Sequence, residues 1–186
     1  KIKEISYLLN KKIKKISPLQ LKIKSPVENG KSFKSNSELK AEYFYKKSKI
    51  ITISDDSGLC IECIGNKPGI HSARWAKKHG GFRQAMSKII QLIKNKNKNK
   101  KKQNTKAKFI CSLTVCFNKK KTITALGEIH GSISDKILGK NGFGYDPIFI
   151  PSGYNLTFGQ IEKKKKMLID HRFIAFKKLK KKIKTL

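Results

Sequence analysis

The chain has 186 residues, 38% of them hydrophobic, which is enough for one substantial domain with its own core. Its 44 Lys and Arg residues outnumber 12 Asp and Glu residues and give a formal charge of +32. The sequence contains no run of about 18 apolar residues, which excludes a membrane-spanning helix, and its lysine-rich start lacks the apolar stretch of a secretory signal. We therefore expect a cytoplasmic protein that does not enter a membrane.

The excess of positive charge has two interpretations. Basic residues neutralise phosphates and release counterions, so one interpretation is a selected face for nucleic acid or another polyanion. However, lysine is spread over almost the whole chain beside Asn and Ile, and only three of the 44 basic residues are Arg. That pattern also fits a solvated surface whose composition has drifted. In either case, attraction for anionic nucleotides should be strong and sensitive to salt.

Four cysteines form two closely spaced pairs. Cys60 and Cys63 make a C-x-x-C pattern, which in other contexts indicates zinc or redox chemistry. Here the surrounding residues predict a strand, in which residues three apart point to opposite faces and do not chelate one ion. Cys111 and Cys116 lie in another predicted strand and diverge in the same way. We therefore expect four reduced, largely buried thiols.

Helical and strand-like segments alternate along the first half of the chain, and a hairpin follows. We predict a short apolar strand at 50–53 that stops at an abrupt polar turn, Ser54 to Gly58, and a mobile Lys/Asn-rich loop at 95–106. The other predicted elements are helices at 1–12, 32–47, 80–94 and 171–184 and strands at 59–64, 108–117, 122–132 and 148–150. Residues 1–186 should form a single α/β domain with a mixed sheet.

The first candidate site is Asp55-Asp56-Ser57-Gly58, at the carboxyl end of the first predicted strand. Ligands of α/β proteins gather at such strand ends. Two adjacent carboxylates are unfavourable without a partner, and a hard cation such as Mg²⁺ is a natural one, while Ser57 offers a hydroxyl to a phosphate oxygen. A turn that leaves both carboxylates in solvent is the alternative.

The second candidate is the glycine-rich loop from Gly139 to Pro147. Glycines on both sides of Phe143 bend the backbone tightly, and an exposed ring there would stack on a planar base. Asp146 precedes a proline, which favours an extended conformation for it. The alternative is an ordinary turn with Phe143 tucked into the core.

Six further residues are weaker candidates. Asp170 precedes the last predicted helix, where His171 and Arg172 would lie in the first turn and converge on an anion; a surface His-Arg pair is the alternative. The forked guanidinium of Arg74 would suit a contact with a base edge or packing on a neighbouring Trp; the alternative is a solvated surface arginine. Glu28 and Lys40, before and within the second helix, are either functional or plain surface charge.

Together these motifs resemble the inosine triphosphate pyrophosphatase family, whose members hydrolyse noncanonical purine nucleoside triphosphates. The resemblance runs from Lys1 to about Lys182, and its most specific part is the hexapeptide Gly-Phe-Gly-Tyr-Asp-Pro that ends at Pro147. The other matching motifs are Asp-Asp-Ser-Gly-Leu, Pro-Gly-Ile-His-Ser-Ala-Arg and His-Arg. The resemblance implies an elongated mixed sheet flanked by helices, two lobes around a nucleotide-binding cleft, and a homodimer. It also implies that ITP, dITP or XTP is hydrolysed to the monophosphate and pyrophosphate with Mg²⁺.

The resemblance also implies a role for each matching residue. Asp56 would be the general base and a metal ligand, Glu28 would help to hold Mg²⁺, and Asp55 would support both. Phe143 would stack on the purine, and the three residues after it would shape the purine pocket. The full set of predicted substrate contacts is Lys1, Lys40, Ser57, Arg74, Phe143, Gly144, Tyr145, Asp146, Lys166, His171 and Arg172.

The sequence departs from the family pattern at two places. Family members begin with a strand and a Thr/Ser-x-Asn-x-x-Lys loop that grips the triphosphate; Lys1 matches the last residue of that motif, so we expect residues before it. Asp170 stands where the family usually has Ser and brings a negative charge towards the substrate. Two alternatives stay open: a basic nucleic-acid-binding protein on the same scaffold without catalysis, and a Maf-like nucleotide pyrophosphatase, which the Gly-Phe-Gly-Tyr-Asp-Pro and His-Arg motifs disfavour.

Overall fold

The computed structural model describes residues 2–184. The helices are α1 (Ile2–Leu8), α2 (Phe33–Ser48), α3 (Ser72–Lys78), α4 (Phe82–Asn97), α5 (Lys163–Lys166) and α6 (His171–Lys184). The strands are β1 (Thr52–Ile61), β2 (Lys67–Pro68), β3 (Lys106–Asn118), β4 (Lys121–Ile133) and β5 (Phe149–Pro151). Within the part of the chain described, no helix is both long enough and apolar enough to span a membrane.

One five-stranded sheet, in the order β2-β1-β3-β4-β5, organises the fold. The β1–β2 ladder is antiparallel, with Cys60 opposite Pro68, and the β4–β5 ladder is antiparallel, with Ser132 opposite Ile150. β3 and β4 are neighbours joined by two residues, which is the predicted hairpin. The predicted α/β fold with a sheet flanked by helices is confirmed.

The polar turn predicted at Ser54 to Gly58 is wrong, because β1 continues through it. Ser54 and Asp56 are buried on one face of the strand, whereas Asp55 points to the other. A strand tolerates buried carboxylates where cations meet them on each face, and those cations come from segments that are distant in sequence. The strand also ends earlier than predicted, since residues Glu62–Ile64 form a 3₁₀ turn that contains Cys63.

The chain divides into two compact units. The first unit comprises Lys1–Asp56, Cys111–Gly127 and His171–Leu186. In it, α6 packs closely on β4: a Cβ added to Gly127 would lie 2.2 Å from the carbonyl oxygen of His171. The apolar core of this unit is Cys111, Leu113, Val115, Ala125, Ala175 and Leu179. The predicted single domain and the implied cleft stay predictions.

The second unit comprises Ser57–Ile110 and Glu128–Asp170. Its core contains a cluster of three aromatic rings, in which the centroid of Phe149 lies 4.7 Å from that of Phe109 and 5.3 Å from that of Phe158. The Lys/Asn-rich connection is shorter than predicted, because α4 continues to Asn97 and β3 begins at Lys106. The Asn97 side chain ties the ends of this connection by exchanging two hydrogen bonds with the backbone of Asn104, at 3.0 and 3.2 Å.

All four cysteines lie within the described residues and form no disulfide bond. Cys60, Cys111 and Cys116 are buried, as expected for structural thiols, and Cys63 is half-buried. Burial raises the pKa of the Cys60 thiol to about 11, so this group stays protonated at neutral pH. Cys60, the first cysteine of the C-x-x-C pattern, is therefore an unreactive thiol.

Candidate functional site

Helix α2 supplies the side chains that surround Asp56 in the first unit. It begins after Ser32, whose side chain accepts a hydrogen bond from the backbone N–H of Ser35, while the Ser35 side chain accepts one from the backbone N–H of Ser32. This capping box fixes the first turn of the helix. Asn36 and Lys40 follow one turn apart and therefore lie on the same side of the helix.

Both carboxylate oxygens of Asp56 are held by this side of α2. Lys40 Nζ donates to Asp56 Oδ1 at 3.0 Å, and Asn36 Nδ2 donates to Asp56 Oδ2 at 3.3 Å. Lys40 Nζ also donates to Glu28 Oε1 at 2.7 Å, so one ammonium group joins two carboxylates from separate segments. Asp56 is 4% exposed, whereas the Glu28 side chain is 35% exposed, which leaves the Glu28 side of the cluster open to solvent.

The charge on Lys40 is stabilised by this arrangement. Burial on its own would lower the pKa of Lys40, but the charges of Asp56 and Glu28 and the hydrogen bonds to them outweigh burial and raise the pKa above its ordinary value. Lys40 is therefore a cation at neutral pH. With the two carboxylates it makes a cluster with a net charge of −1, which attracts a further cation.

A chain of buried hydroxyl groups anchors α2 to the sheet beneath this cluster. Ser37 Oγ lies 2.7 Å from Ser112 Oγ and 2.8 Å from Thr114 Oγ1, both on β3. On β4, Thr124 Oγ1 lies 3.0 Å from Thr114 Oγ1 and donates to Glu38 Oε1 at 2.8 Å. These contacts hold α2 against β3 and β4.

Asp55 lies on the opposite face of β1 and has different partners. Arg172 Nε, on α6, donates to Asp55 Oδ2 at 3.3 Å, and Arg172 Nη1 lies 3.1 Å from Glu4 Oε2 on α1. Arg172 is 5% exposed and His171 is 3% exposed, so the interpretation of this pair as a surface feature is wrong. The two adjacent aspartates therefore meet different basic side chains on opposite faces of β1.

In the second unit, the glycine-rich loop presents Phe143 at the surface. Gly142 and Gly144 both adopt positive φ angles, 80° and 70°, that favour glycine, and the ring between them is 53% exposed. Phe82 supports the ring edge-on with a centroid distance of 5.0 Å, and also meets Tyr145 edge-on at 5.3 Å. The exposed arrangement of Phe143, rather than the buried alternative, is the observed one.

A buried ion pair holds this loop in place. Asp146 Oδ2 accepts a hydrogen bond from the backbone N–H of Phe143 at 2.6 Å and one from Lys166 Nζ at 2.8 Å. A Cβ added to Gly142 would lie 2.0 Å from the same carboxylate oxygen, so only glycine fits there. Asp146 lies in a 3₁₀ turn rather than the predicted extended conformation, because its carboxylate folds back onto Phe143.

The residues around Asp56 fit the magnesium ion that the family resemblance implies. Mg²⁺ in proteins is bound by one or two carboxylates and completes its octahedron with water and substrate phosphates. Glu28 and Asp56 both lie within hydrogen-bond distance of the same ammonium group, and the former is partly exposed. Among residues 2–184 no group of three or more Asp, Glu, His or Cys side chains could hold a metal by itself. The pair therefore suits an ion that arrives with a triphosphate.

Comparison with known proteins identifies the family. The profile described as Ham1 family matches residues 1–182. The chain belongs to the Ham1 family. A relative from Zymomonas mobilis named dITP/XTP pyrophosphatase is 37% identical over 180 residues, covering 96% of this chain and 85% of its own length. A Clostridium tetani protein of the same name is 35% identical over 187 residues, covering 99% and 90%.

Solved structures of the Ham1 family share the fold. The Ham1 protein from Coxiella burnetii is similar with a TM-score of 0.88 and 27% identity, covering 100% of this chain and 93% of its own. The Staphylococcus aureus Ham1 protein has a TM-score of 0.78 and 31% identity, covering 90% and 84%. The observed order of helices and strands is therefore that of a Ham1 protein.

The predicted site residues fall into groups within each unit of this Ham1 chain. In the first unit, Glu28, Lys40 and Asp56 meet directly. In the second unit, Phe143, Gly144, Tyr145, Asp146 and Lys166 lie in or against one loop. Asp170, the departure from the family pattern, is 2% exposed with Oδ2 3.9 Å from Lys166 Nζ, so a buried ammonium group faces its charge.

Five predicted contacts stand apart from these groups, two of which, His171 and Arg172, are described above with Asp55. Ser57 is half-buried on β1, next to Asp56 but on the opposite face of the strand. Arg74 is exposed on α3, where Nη2 lies 3.5 Å from the carbonyl oxygen of Ile70. Trp75 stacks on His79, with centroids 4.8 Å apart. Lys1 lies outside the described residues. The roles of all the predicted site residues stay predictions.

Sequence reasoning missed Asn36, which contacts Asp56 directly. A usable signal was present in the sequence, since Ser32 marks the start of the helix and Asn36 precedes Lys40 by four residues. A buried position on the same helix side as a functional lysine is where a polar partner is expected.

Proposed function

We propose that the cluster of Glu28, Lys40 and Asp56 is the hydrolytic centre of a deaminated-purine nucleoside triphosphate pyrophosphatase. This Ham1-family chain hydrolyses ITP, dITP and XTP to the monophosphate and pyrophosphate, and so removes deaminated purines from the nucleotide pool. The relatives named dITP/XTP pyrophosphatase support this substrate class. The observation that carries the proposal is the pair of carboxylates joined through one lysine, with one carboxylate held at both oxygens and the other open to solvent.

Asp56 acts as the general base in this proposal. A water oxygen attacks the α-phosphorus, and the Asp56 carboxylate takes a proton from that water as the new P–O bond forms. The bond between the α-phosphorus and the bridging oxygen breaks, the electron pair stays with pyrophosphate, and the proton later passes to solvent. The hydrogen bond to Asn36 and the ion pair with Lys40 keep the carboxylate in one orientation.

The cations of the site balance charge that builds up on the phosphates. Lys40 is held as a cation between Glu28 and Asp56 and supplies one positive charge. Glu28 and Asp56 would hold Mg²⁺, which when bound neutralises phosphate charge and orients the triphosphate. Lys40 faces phosphate oxygens in the same proposal.

Stacking on the base is assigned to Phe143, which lies in the second unit. The exposed Phe143 ring offers a stacking surface, and the Asp146–Lys166 pair keeps the loop in shape. Stacking accepts any base, so discrimination between deaminated and ordinary purines must come from polar contacts to the base edge, for which Arg74, His171 and Arg172 are the proposed sources. A homodimer remains part of the proposal.

The test is pyrophosphate release by the full-length protein from ITP, XTP, dTTP and ATP, with and without Mg²⁺. We expect fast, Mg²⁺-dependent release from ITP and XTP and slow release from ATP. Asp56→Asn keeps the size and the position of the side chain but removes the base, and kcat should fall by about 10²- to 10⁴-fold. Asp135→Asn, an aspartate of the second unit outside the cluster, is the matched control and should retain kcat. No release from any of the four substrates would refute the proposal.

A further inference from the structure

We propose that Asn36 is a positioning residue for the hydrolytic reaction, holding the Asp56 carboxylate and the segment that carries Glu28 in one arrangement. This inference rests on the function proposed above. Asn36 has 0% exposure, so its side chain does not reach solvent and acts only through its two protein contacts. One of these contacts is with the proposed base and the other is with the backbone beside the proposed second metal ligand.

The orientation of the Asn36 amide is fixed by chemistry. The backbone N–H of Gly30 donates to Asn36 Oδ1 at 2.8 Å, and a backbone N–H can only donate. The oxygen of the amide must therefore face Gly30, which turns Nδ2 towards Asp56 Oδ2 at 3.3 Å. An ionised carboxylate only accepts, so the two contacts agree on a single orientation.

This amide connects two parts of the cluster that the fold does not otherwise join by backbone pairing. Glu28 lies two residues before Gly30 on an irregular segment, and Asp56 lies on β1. The close approach requires glycine at position 30, because a Cβ there would lie 2.5 Å from Asn36 Oδ1 and 2.5 Å from Ser35 Oγ. The Glu28 segment is therefore held against α2 at the residue that also orients Asp56.

A neutral donor suits this place better than a second cation. Lys40 already provides a charge on Asp56 Oδ1, and another cation on Oδ2 would weaken the carboxylate as a base and compete with a metal ion. The Asn36 amide fixes the plane of the carboxylate and leaves its charge unchanged. Its loss should therefore reduce the rate of the chemical step rather than the affinity for the nucleotide.

The test compares Asn36→Ala with Ser37→Ala in the full-length protein. Ser37 is the next residue of α2, is also 0% exposed and also makes buried hydrogen bonds, but these go to Ser112 and Thr114. We expect Asn36→Ala to lower kcat for ITP by about 10- to 100-fold with KM within about twofold. Ser37→Ala should lower Tm by a comparable amount and leave kcat within about twofold.

Two additional variants separate positioning from a general loss of structure. Gly30→Ala keeps the Asn36 side chain but puts a Cβ 2.5 Å from Asn36 Oδ1, which forces the amide away from its position, so it should lower kcat in the same way even if Asn36→Ala does not fold. Combining Asn36→Ala with Asp56→Asn should reduce kcat no further than Asp56→Asn alone, because Asn36 acts through that carboxylate.

The outcomes divide cleanly. A wild-type protein without pyrophosphatase activity refutes the proposed function itself. An active wild type whose Asn36→Ala and Gly30→Ala variants keep kcat refutes the positioning role. Equal losses of kcat in Asn36→Ala and Ser37→Ala, or additive losses in the double variant, also refute it, because either result indicates a general structural effect.

Discussion

The two units of this Ham1 chain each contain an aspartate paired with a lysine, and the two pairs differ in their exposure. In the first unit, Lys40 lies 3.0 Å from Asp56 and also joins Glu28, whose side chain is 35% exposed. In the second unit, Lys166 lies 2.8 Å from Asp146, and their side chains are 2% and 3% exposed. Each lysine has a second carboxylate nearby, Glu28 for Lys40 and Asp170 for Lys166, but only the first pair has a side open to solvent.

The difference separates a group that can do chemistry from one that maintains structure. A carboxylate with an accessible neighbour can meet water, a metal ion or a phosphate. A fully buried pair cannot reach substrate without movement, and Asp146 uses its carboxylate to hold the backbone of Phe143. We therefore expect Asp146 and Lys166 to affect substrate binding indirectly, by holding the exposed Phe143 in position.

Removing the cations from the two pairs should have the largest contrasting effects. Lys166→Met leaves the buried carboxylates of Asp146 and Asp170 without the ammonium group that faces both, which costs at least about 3–5 kcal/mol. Lys40→Met leaves carboxylates that water can reach on the Glu28 side, so its cost should be smaller by at least about 2 kcal/mol. Urea unfolding of both variants measures the free energies of unfolding.

Among the molecules that remain folded, Lys40→Met should lose more activity than Lys166→Met, which is the reverse of their order in stability. Lys40→Met removes a charge beside the phosphates and should reduce kcat strongly, whereas the Lys166→Met loss should follow the loss of folded protein. If Lys40→Met proves as destabilising as Lys166→Met and both lose activity in parallel, then the distinction between an open and a closed pair is wrong.

Sequence patterns located the elements whose signals are local. The predicted helices at 32–47 and 171–184 and the predicted hairpin of 108–117 and 122–132 lie close to the observed bounds of α2, α6 and the β3–β4 pair. The glycines on both sides of Phe143 left an exposed and a buried ring open as alternatives, and the structure has the exposed ring.

The sequence could not predict what depends on distant partners. Asp55 and Asp56 resemble a polar turn until Arg172 and Lys40, 117 and 16 residues away, are known to meet them on opposite faces. The burial of Lys166 follows from Asp146, 20 residues earlier, and no local pattern signals it. Charged residues inside a strand or a core are therefore misread when only their neighbours in sequence are considered.

Phe143→Ala tests the exposed aromatic ring that the buried Asp146–Lys166 pair holds in position. Stacking of one base on an aromatic ring is worth about 1–3 kcal/mol, so KM for ITP should rise by about 5- to 150-fold. Because the ring is half-exposed, we expect the free energy of unfolding to change by less than about 1 kcal/mol. Leu156→Ala, at a side chain of the same unit that is 49% exposed, is the matched control. Its KM should equal that of the wild type, and an unchanged KM in Phe143→Ala would exclude stacking.

Tyr145→Phe should have the smallest effect on activity, and it tests whether Tyr145 is a structural or a substrate-binding residue. Tyr145 was predicted to bind substrate, but it is 2% exposed and its hydroxyl donates to the carbonyl oxygen of Ser72 at 2.9 Å. If it belongs to the closed part of the loop, losing this bond costs about 1–2 kcal/mol of stability and leaves KM within about twofold. A higher KM at unchanged stability would instead place its hydroxyl on the substrate.

The stability difference between wild type and Tyr145→Phe should also depend on pH, because the Tyr145 hydroxyl is buried. Burial raises the pKa of Tyr145 above its ordinary value of 10.0, so the folded protein keeps this proton at pH values where the unfolded chain loses it. The contribution of the hydroxyl to stability is complete below pH 10 and declines as the pH rises beyond that value. The difference in free energy of unfolding between wild type and Tyr145→Phe should therefore shrink between about pH 10 and 11, whereas a solvent-exposed hydroxyl would leave this difference constant.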